Sequence, residues 1–229
     1  MTAFAFPPEP HTALAIRGRA ERFPVHRIYC VGRNFAEHAK EMGAEAPKGK
    51  PVFFMKPADA ALQSTDIPYP GATADLHHEV ELVVALGPDV PDTLTADNAA
   101  QAVFGYAVGL DLTRRDLQAE AKDKRLPWDT SKGFDASAPL GELVPADEIA
   151  LDAATVLRLH VNGELRQQAP LGDMIFSVTD ILVALSGLYR LRPGDLIFMG
   201  TPAGVAALQR GDRVEAELDG ITAYNGRII

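Results

Sequence analysis

A chain of 229 residues, 47% of them hydrophobic and 23% charged, has the profile of a globular protein of one ordinary domain with room for a small annex. Its formal net charge of -9, from 22 Lys and Arg against 31 Asp and Glu, excludes the broad basic footprint that a nucleic-acid or anionic-membrane partner needs. An acidic protein still binds an anionic substrate where a bound cation supplies positive charge locally.

Residues 1–26 are Pro-rich, then basic, without clear periodicity, and are expected to form an N-terminal annex to a domain over 27–229. RIYCV reads as a short buried strand ended by Gly32. Asn34 stands where it would cap a helix over FAEHAKEM, with Gly43 as its stop. PVFFMKP is a second strand. HHEVELVVALG alternates and then runs apolar, predicting a strand whose far end is buried on both faces. Thr95 opens a predicted short helix over ADNAAQAVF, and YAVGLDL is a strand giving way at Thr113 to a polar helix, RRDLQAEAKDKR. The loop that follows, LPWDTSKGFDASAPLG, is long for a compact domain, and such loops tend to carry function.

TVLRLHVNGELRQQA predicts a hairpin turning at Asn162-Gly163. SVTDILVALSGLYRL predicts an amphipathic helix capped by Ser177. DLIFMGTPAGV is a strand entering a Gly-containing loop, and RVEAELDGITAYNGRII is a second hairpin, through Asp219-Gly220. Strands outnumber helices and the hairpins imply antiparallel pairing, so the expected fold class is β-rich α+β. Cys30 is the only cysteine, which leaves no intrachain disulfide. The N-terminus lacks the pattern of a signal peptide and no stretch approaches a membrane span, so a cytoplasmic protein is expected.

Three acidic residues stand out. Glu79 and Glu81 are two apart on a strand, so both leave the same face, while Val80 and Leu82 point toward a core. Carboxylates so placed repel each other unless a cation lies between them, and a hard divalent ion suits an all-oxygen set. Asp111, in the otherwise apolar YAVGLDL, is the best third ligand, because a charge there needs a partner. The plain alternative for Glu-x-Glu is a solvated strand face. His77 and His78 precede the pair, but a supporting role suits them better than ligation, since a His-rich site favours zinc.

His38 and Glu41 are three apart on the first helix, a spacing that lets the carboxylate orient the imidazole as a base toward water; HAKE is also an ordinary surface-helix sequence. Arg115 and Gln118 share the same spacing beyond Asp111 and face its site if they are not simply solvated. Lys132, in the long loop, can pair with a substrate carboxylate or neutralise an enolate, and Trp128 nearby either lines a pocket or anchors packing. GTPAGV can present backbone N–H groups and the Thr201 hydroxyl to a carboxylate, or be no more than a turn.

Taken together, YCVGRNFAEHAKEMG, FFMKPADA, HHEVELVVALG, GYAVGLDLTRRDLQ, LPWDTSKGFDASAPLG, VNGELRQ and IFMGTPAGV resemble the fumarylacetoacetate hydrolase superfamily, within it the short acylpyruvase or fumarylpyruvate hydrolase branch. The resemblance implies a mixed β-sandwich roll with a few short helices, assembled as a homodimer. It implies Mg²⁺ or Mn²⁺ on Glu79, Glu81 and Asp111, and a water-activating dyad of His38 and Glu41 on a lid-like helix. It also implies Arg33, Gln118, Lys132 and Thr201 around a small keto-acid substrate. The activity implied is cleavage of the carbon–carbon bond of a 3-acylpyruvate to pyruvate and a carboxylic acid, fumarate from fumarylpyruvate. Alternatives are decarboxylation of oxaloacetate or a related β-keto acid, or isomerisation or hydration of an unsaturated keto acid, at the same site and, from another class, a silent metal- or ligand-binding protein.

Overall fold

The computed structural model describes residues 4–41, 43 and 49–229. Two large sheets carry the architecture. A six-stranded sheet runs Val144–Pro145, Val103–Leu110, Val80–Leu86, Asp195–Phe198, Arg27–Gly32 and Val52–Lys56 in spatial order. A five-stranded sheet runs Glu164–Pro170, Val156–Val161, Arg213–Leu218, Thr222–Ile228 and Asp66–Ile67. Most neighbours are antiparallel. Asp195–Phe198 lies parallel to Arg27–Gly32, and Thr222–Ile228 parallel to Asp66–Ile67, so both sheets are mixed. This is the β-rich α+β fold expected.

The strand Val80–Leu86 shows why the sheet has two buried faces. Every one of its residues is buried. Val80, Leu82 and Val84 face a core shared with Leu157, Leu159, Val214 and Leu218 of the second sheet. Val83 and Ala85 face the other way, into a cluster with Ile28, Cys30, Leu196 and Phe198. Residues 13–25 close that second cluster: Ala13–Ala15 pairs with Arg22–Pro24, burying Leu14, Ile16, Phe23 and Val25. The part of the N-terminal segment over residues 1–3 lies outside the described residues.

Both predicted hairpins form. Asn162 (φ 53°) and Gly163 (φ 81°) take the left-handed conformations a tight two-residue turn requires, and Asp219 (φ 34°) and Gly220 (φ 74°) do the same within the three-residue connection between the paired Leu218 and Thr222. Ser177 caps Val178–Ser186 through a reciprocal box with Asp180. That helix ends at Gly187 and buries Ile181, Leu182 and Leu185.

Three local expectations are corrected. The predicted helix over 96–104 is only a 3₁₀ turn, Ala99–Ala102, because Val103 already pairs with Leu86 in the sheet. The long loop contains a single helical turn, Asp129–Lys132. Asn34 does not cap the helix Ala36–Glu41. Its side chain donates to the Phe176 and Met199 carbonyls and accepts from the Phe176 N–H, tying three segments together. Met42, the last helical residue expected, lies outside the described residues.

Candidate active site

Sheet register brings the three carboxylates together. Val80 pairs with Leu110 and Glu81 with Gly109, and the Asp111 N–H donates to the Glu79 carbonyl at 2.8 Å, extending the ladder by one rung. Glu79 and Asp111 therefore stand opposite each other, with Glu81 one step along on the same face. One carboxylate oxygen from each of Glu79, Glu81 and Asp111 lies within 4.8 Å of the others, and all three residues are buried. A solvated Glu-x-Glu face is thereby excluded. Gly109, across from Glu81, has room for no side chain: a Cβ would come within 2.9 Å of both Phe198 and Val83.

Cations hold two of the three. Lys132 Nζ donates to Glu79 Oε2 at 2.8 Å and to Asp111 Oδ2 at 2.5 Å. Arg115 donates to Glu79 Oε1 at 2.5 Å and to Gln118 Oε1 at 2.6 Å. Burial pushes the Glu79 carboxyl up, but the Lys132 ammonium and the Arg115 guanidinium more than offset this and hold it well below the usual range. Lys56, wholly buried, sits 2.9 Å from Asp111 Oδ1 and donates to the carbonyls of Leu112 and Lys132. The approach to Oδ1 is an ion pair without hydrogen-bond alignment, so that oxygen keeps no hydrogen-bond donor of its own.

Glu81 is different. It accepts one hydrogen bond, from the Gly200 N–H at 2.7 Å, and has no cationic partner among the described residues. Burial, and then the charges of Asp111 and Glu79, push its carboxyl well above the ordinary value. A buried three-carboxylate set with one undonated oxygen and one carboxyl left without a cation fits a hard divalent metal ion. Among the described residues no histidine joins the set. His78 is buried with Nδ1 2.9 Å from Gln167 Oε1, and His77 pairs through Nε2 with Asp75 at 2.9 Å.

The remaining expected residues gather round the same pocket. Its walls include Arg33, His38, Gln118, Lys132 and Thr201 together with the triad, and it encloses about 420 Å³ of empty space, open solvent at its mouth included. His38 is 7% exposed, and its Nδ1 lies 3.2 Å from Glu41 Oε2. Glu41 in turn accepts from the Gly204 N–H at 3.1 Å, which fastens the helix to the GTPAGV loop. Gly204 has φ +102° and Gly200 φ +93°, conformations that favour glycine. Arg33, with φ 65°, holds a left-handed conformation rare for a side-chain-bearing residue.

Several residues of the site were not singled out from the sequence. Gln167, 1% exposed, donates to Thr201 Oγ1 at 2.7 Å and to the Pro202 carbonyl, while its Oε1 accepts from the Val80 N–H. It thus couples the loop carrying Thr201 to the strand carrying Glu81. Lys56 was missed too, although a lysine inside the apolar run VFFMK is a signal of the same kind as Asp111. Lys122 and Phe54 complete the lining with Trp128, whose ring packs 5.8 Å from that of Phe54.

Comparison with known proteins agrees with this geometry. The family model described as fumarylacetoacetate hydrolase C-terminal matches residues 27–229. A solved structure of fumarylpyruvate hydrolase from Pseudomonas aeruginosa, in complex with Mn²⁺ and pyruvate, superposes with a TM-score of 0.95 at 42% identity, covering 99% of each chain. Among curated relatives, the oxaloacetate tautomerase YcgM of Escherichia coli (strain K12) is 40% identical over 86% of this chain and 90% of its own length. The mitochondrial oxaloacetate tautomerase FAHD1 of Rattus norvegicus is 42% identical over 88% and 90%. Among the described residues no helix is long and apolar enough to cross a membrane.

Proposed function

We propose that this chain, which belongs to the fumarylacetoacetate hydrolase family, is a metal-dependent hydrolase that cleaves a 3-acylpyruvate such as fumarylpyruvate to pyruvate and a carboxylic acid. The observation that carries the reading is one pocket lined by both the carboxylate triad and His38, with Glu41 behind the imidazole. The likeness to a fumarylpyruvate hydrolase holding Mn²⁺ and pyruvate supports it. Glu79, Glu81 and Asp111 would hold Mg²⁺ or Mn²⁺, which when bound supplies Lewis-acid activation of a keto acid and a positive field for an enolate.

With Nδ1 turned to Glu41, His38 keeps Nε2 as the basic nitrogen. It takes a proton from water, whose oxygen adds to the carbonyl distal to the pyruvoyl end. The bond from that carbon to the methylene breaks, its electron pair passes into pyruvate enolate, and the proton held by His38 passes to the enolate carbon, completing pyruvate and restoring the base. Lys132 neutralises the developing enolate oxygen. Arg33, Arg115, Gln118 and Thr201 orient the substrate's carboxylate and keto group. A homodimer is the assembly proposed with this activity.

A second reading is favoured by the two oxaloacetate tautomerases among the relatives: the same base moves a proton between carbon and the enol oxygen of oxaloacetate, with no water adding. Assays of the Mn²⁺-loaded protein separate the two. Equimolar pyruvate and fumarate from fumarylpyruvate, with hydrolysis outpacing enol–keto conversion of oxaloacetate, is the expected result. In His38→Ala hydrolysis should fall by about 10²–10⁴-fold while Mn²⁺ affinity is retained. Rapid tautomerisation without pyruvate release would overturn the hydrolase in favour of the isomerase.

A further inference from the structure

We propose that Lys122 is the specificity-determining residue of this pocket, holding the distal carboxylate of a dicarboxylic keto acid. The inference rests on the reading that a keto acid binds against Glu79, Glu81 and Asp111, and it states which keto acids the site takes.

The walls of the pocket carry four cations, Arg33, Arg115, Lys122 and Lys132, against three carboxylates, in a chain whose overall balance is -9. Two of the four are engaged: Lys132 with Glu79 and Asp111, Arg115 with Glu79 and Gln118. Lys122 forms neither an ion pair nor a hydrogen bond with any described residue; its Nζ lies over the Trp128 ring, 5.5 Å from the centroid. Partial burial, and then the Arg115 charge, push its ammonium pKa down, against the pull of the Glu79 carboxylate.

Position completes the case. Lys122 lies in the last turn of Arg115–Lys124 and is exposed, whereas the triad is buried, so the ammonium stands toward the mouth and the carboxylates at the inner end. Val31, Phe54 and Trp128 supply apolar surface to the same lining. The lining thus combines the carboxylate triad with its two paired cations, an apolar surface, and the exposed ammonium of Lys122. With a divalent ion on the triad, the lining has a positive excess of three charges. A monocarboxylic acylpyruvate neutralises one of these and leaves Lys122 without a partner. A substrate with a second carboxylate beyond an apolar segment pairs with it.

Binding of uncleavable analogues tests this independently of turnover. The Mn²⁺-loaded protein is titrated calorimetrically with 2-oxoheptanedioate and with 2-oxoheptanoate, which differ only in the distal carboxylate. The diacid should bind about tenfold more tightly, the size of one charge-assisted hydrogen bond. Lys122→Met should bring the ratio near unity and Lys122→Arg should restore it. Equal affinities in the unsubstituted protein, or an unchanged ratio in Lys122→Met, would overturn the assignment. The same proteins are assayed for hydrolysis of fumarylpyruvate and acetylpyruvate. A diacid preference that depends on Lys122, in a protein that hydrolyses neither, upholds this inference and removes the hydrolase reading instead.

Discussion

Glu81 has burial and two neighbouring carboxylates against its ionisation and one N–H donor, from Gly200, in favour. Its proton is therefore held above the ordinary glutamate range in the metal-free protein, and a metal ion must displace it. Mn²⁺ affinity should fall as pH drops below that raised value, by about tenfold per pH unit for one displaced proton. The stability sign follows: with the folded pKa raised, the contribution of Glu81 is fully present below the unfolded value and is lost as pH rises through the folded one. Calorimetric Mn²⁺ titrations across pH check the affinity, and Glu81→Gln should flatten their slope. An affinity of the unsubstituted protein that does not change with pH would mean that Glu81 is ionised without metal. At this scale the sequence was informative where a residue type clashed with its surroundings. Asp111 was legible for that reason, and Lys56 carried the same signal. Gln167 was not legible, because a glutamine in a polar hairpin strand, GELRQQ, looks solvated until its burial is known.

Helix Ala36–Glu41 and the GTPAGV loop work as a unit, joined by the Gly204 N–H on Glu41. Gly204 has φ +102°, and a Cβ there would stand 2.1 Å from the Arg166 carbonyl oxygen. Gly204→Ala must shift the loop as well as strain the backbone. It should cost about 1–3 kcal/mol of stability, read by urea denaturation, and should lower kcat for pyruvate release because Glu41 loses its anchor. Undiminished kcat in a folded Gly204→Ala protein would separate the loop from the dyad. The i, i+3 spacing of His38 and Glu41 was readable from the sequence, as was the glycine character of the loop. Their attachment to each other was not. The same holds for Asn34, whose apparent capping position gave way to contacts with the Phe176 and Met199 backbone, segments remote in the chain.

Across the molecule, the six-stranded sheet encloses a hydrophobic cluster on each face and opens at one end into the charged pocket. Lys56 belongs to that frame: it stands on the edge strand Val52–Lys56 and pairs with Asp111 from behind the triad. Lys56→Met leaves one buried carboxylate short of a cation and should destabilise the metal-free protein by about 3–5 kcal/mol. Saturation with Mn²⁺ at a hundredfold excess over Kd contributes about 2.7 kcal/mol to the folded state. It also supplies positive charge beside Asp111, so the Tm deficit of Lys56→Met should shrink when the metal is added. Thermal denaturation with and without Mn²⁺ measures both; an equal deficit in the two conditions would show that Lys56 acts through packing alone.

What the chain decides by itself is what depends on near neighbours. The two-residue repeat of a strand puts Glu79 and Glu81 on one face, Asn-Gly and Asp-Gly close the hairpins, and Ser177 with Asp180 starts a helix. The tertiary structure alone decided that Asp111 stands opposite Glu79, that Lys56 and Lys132 converge on it, and that Lys122 lines the pocket without an ion-pair partner among the described residues. Those contacts are set by which strands pair and in what register, and hydrogen-bond register between distant segments leaves no periodic trace in local sequence.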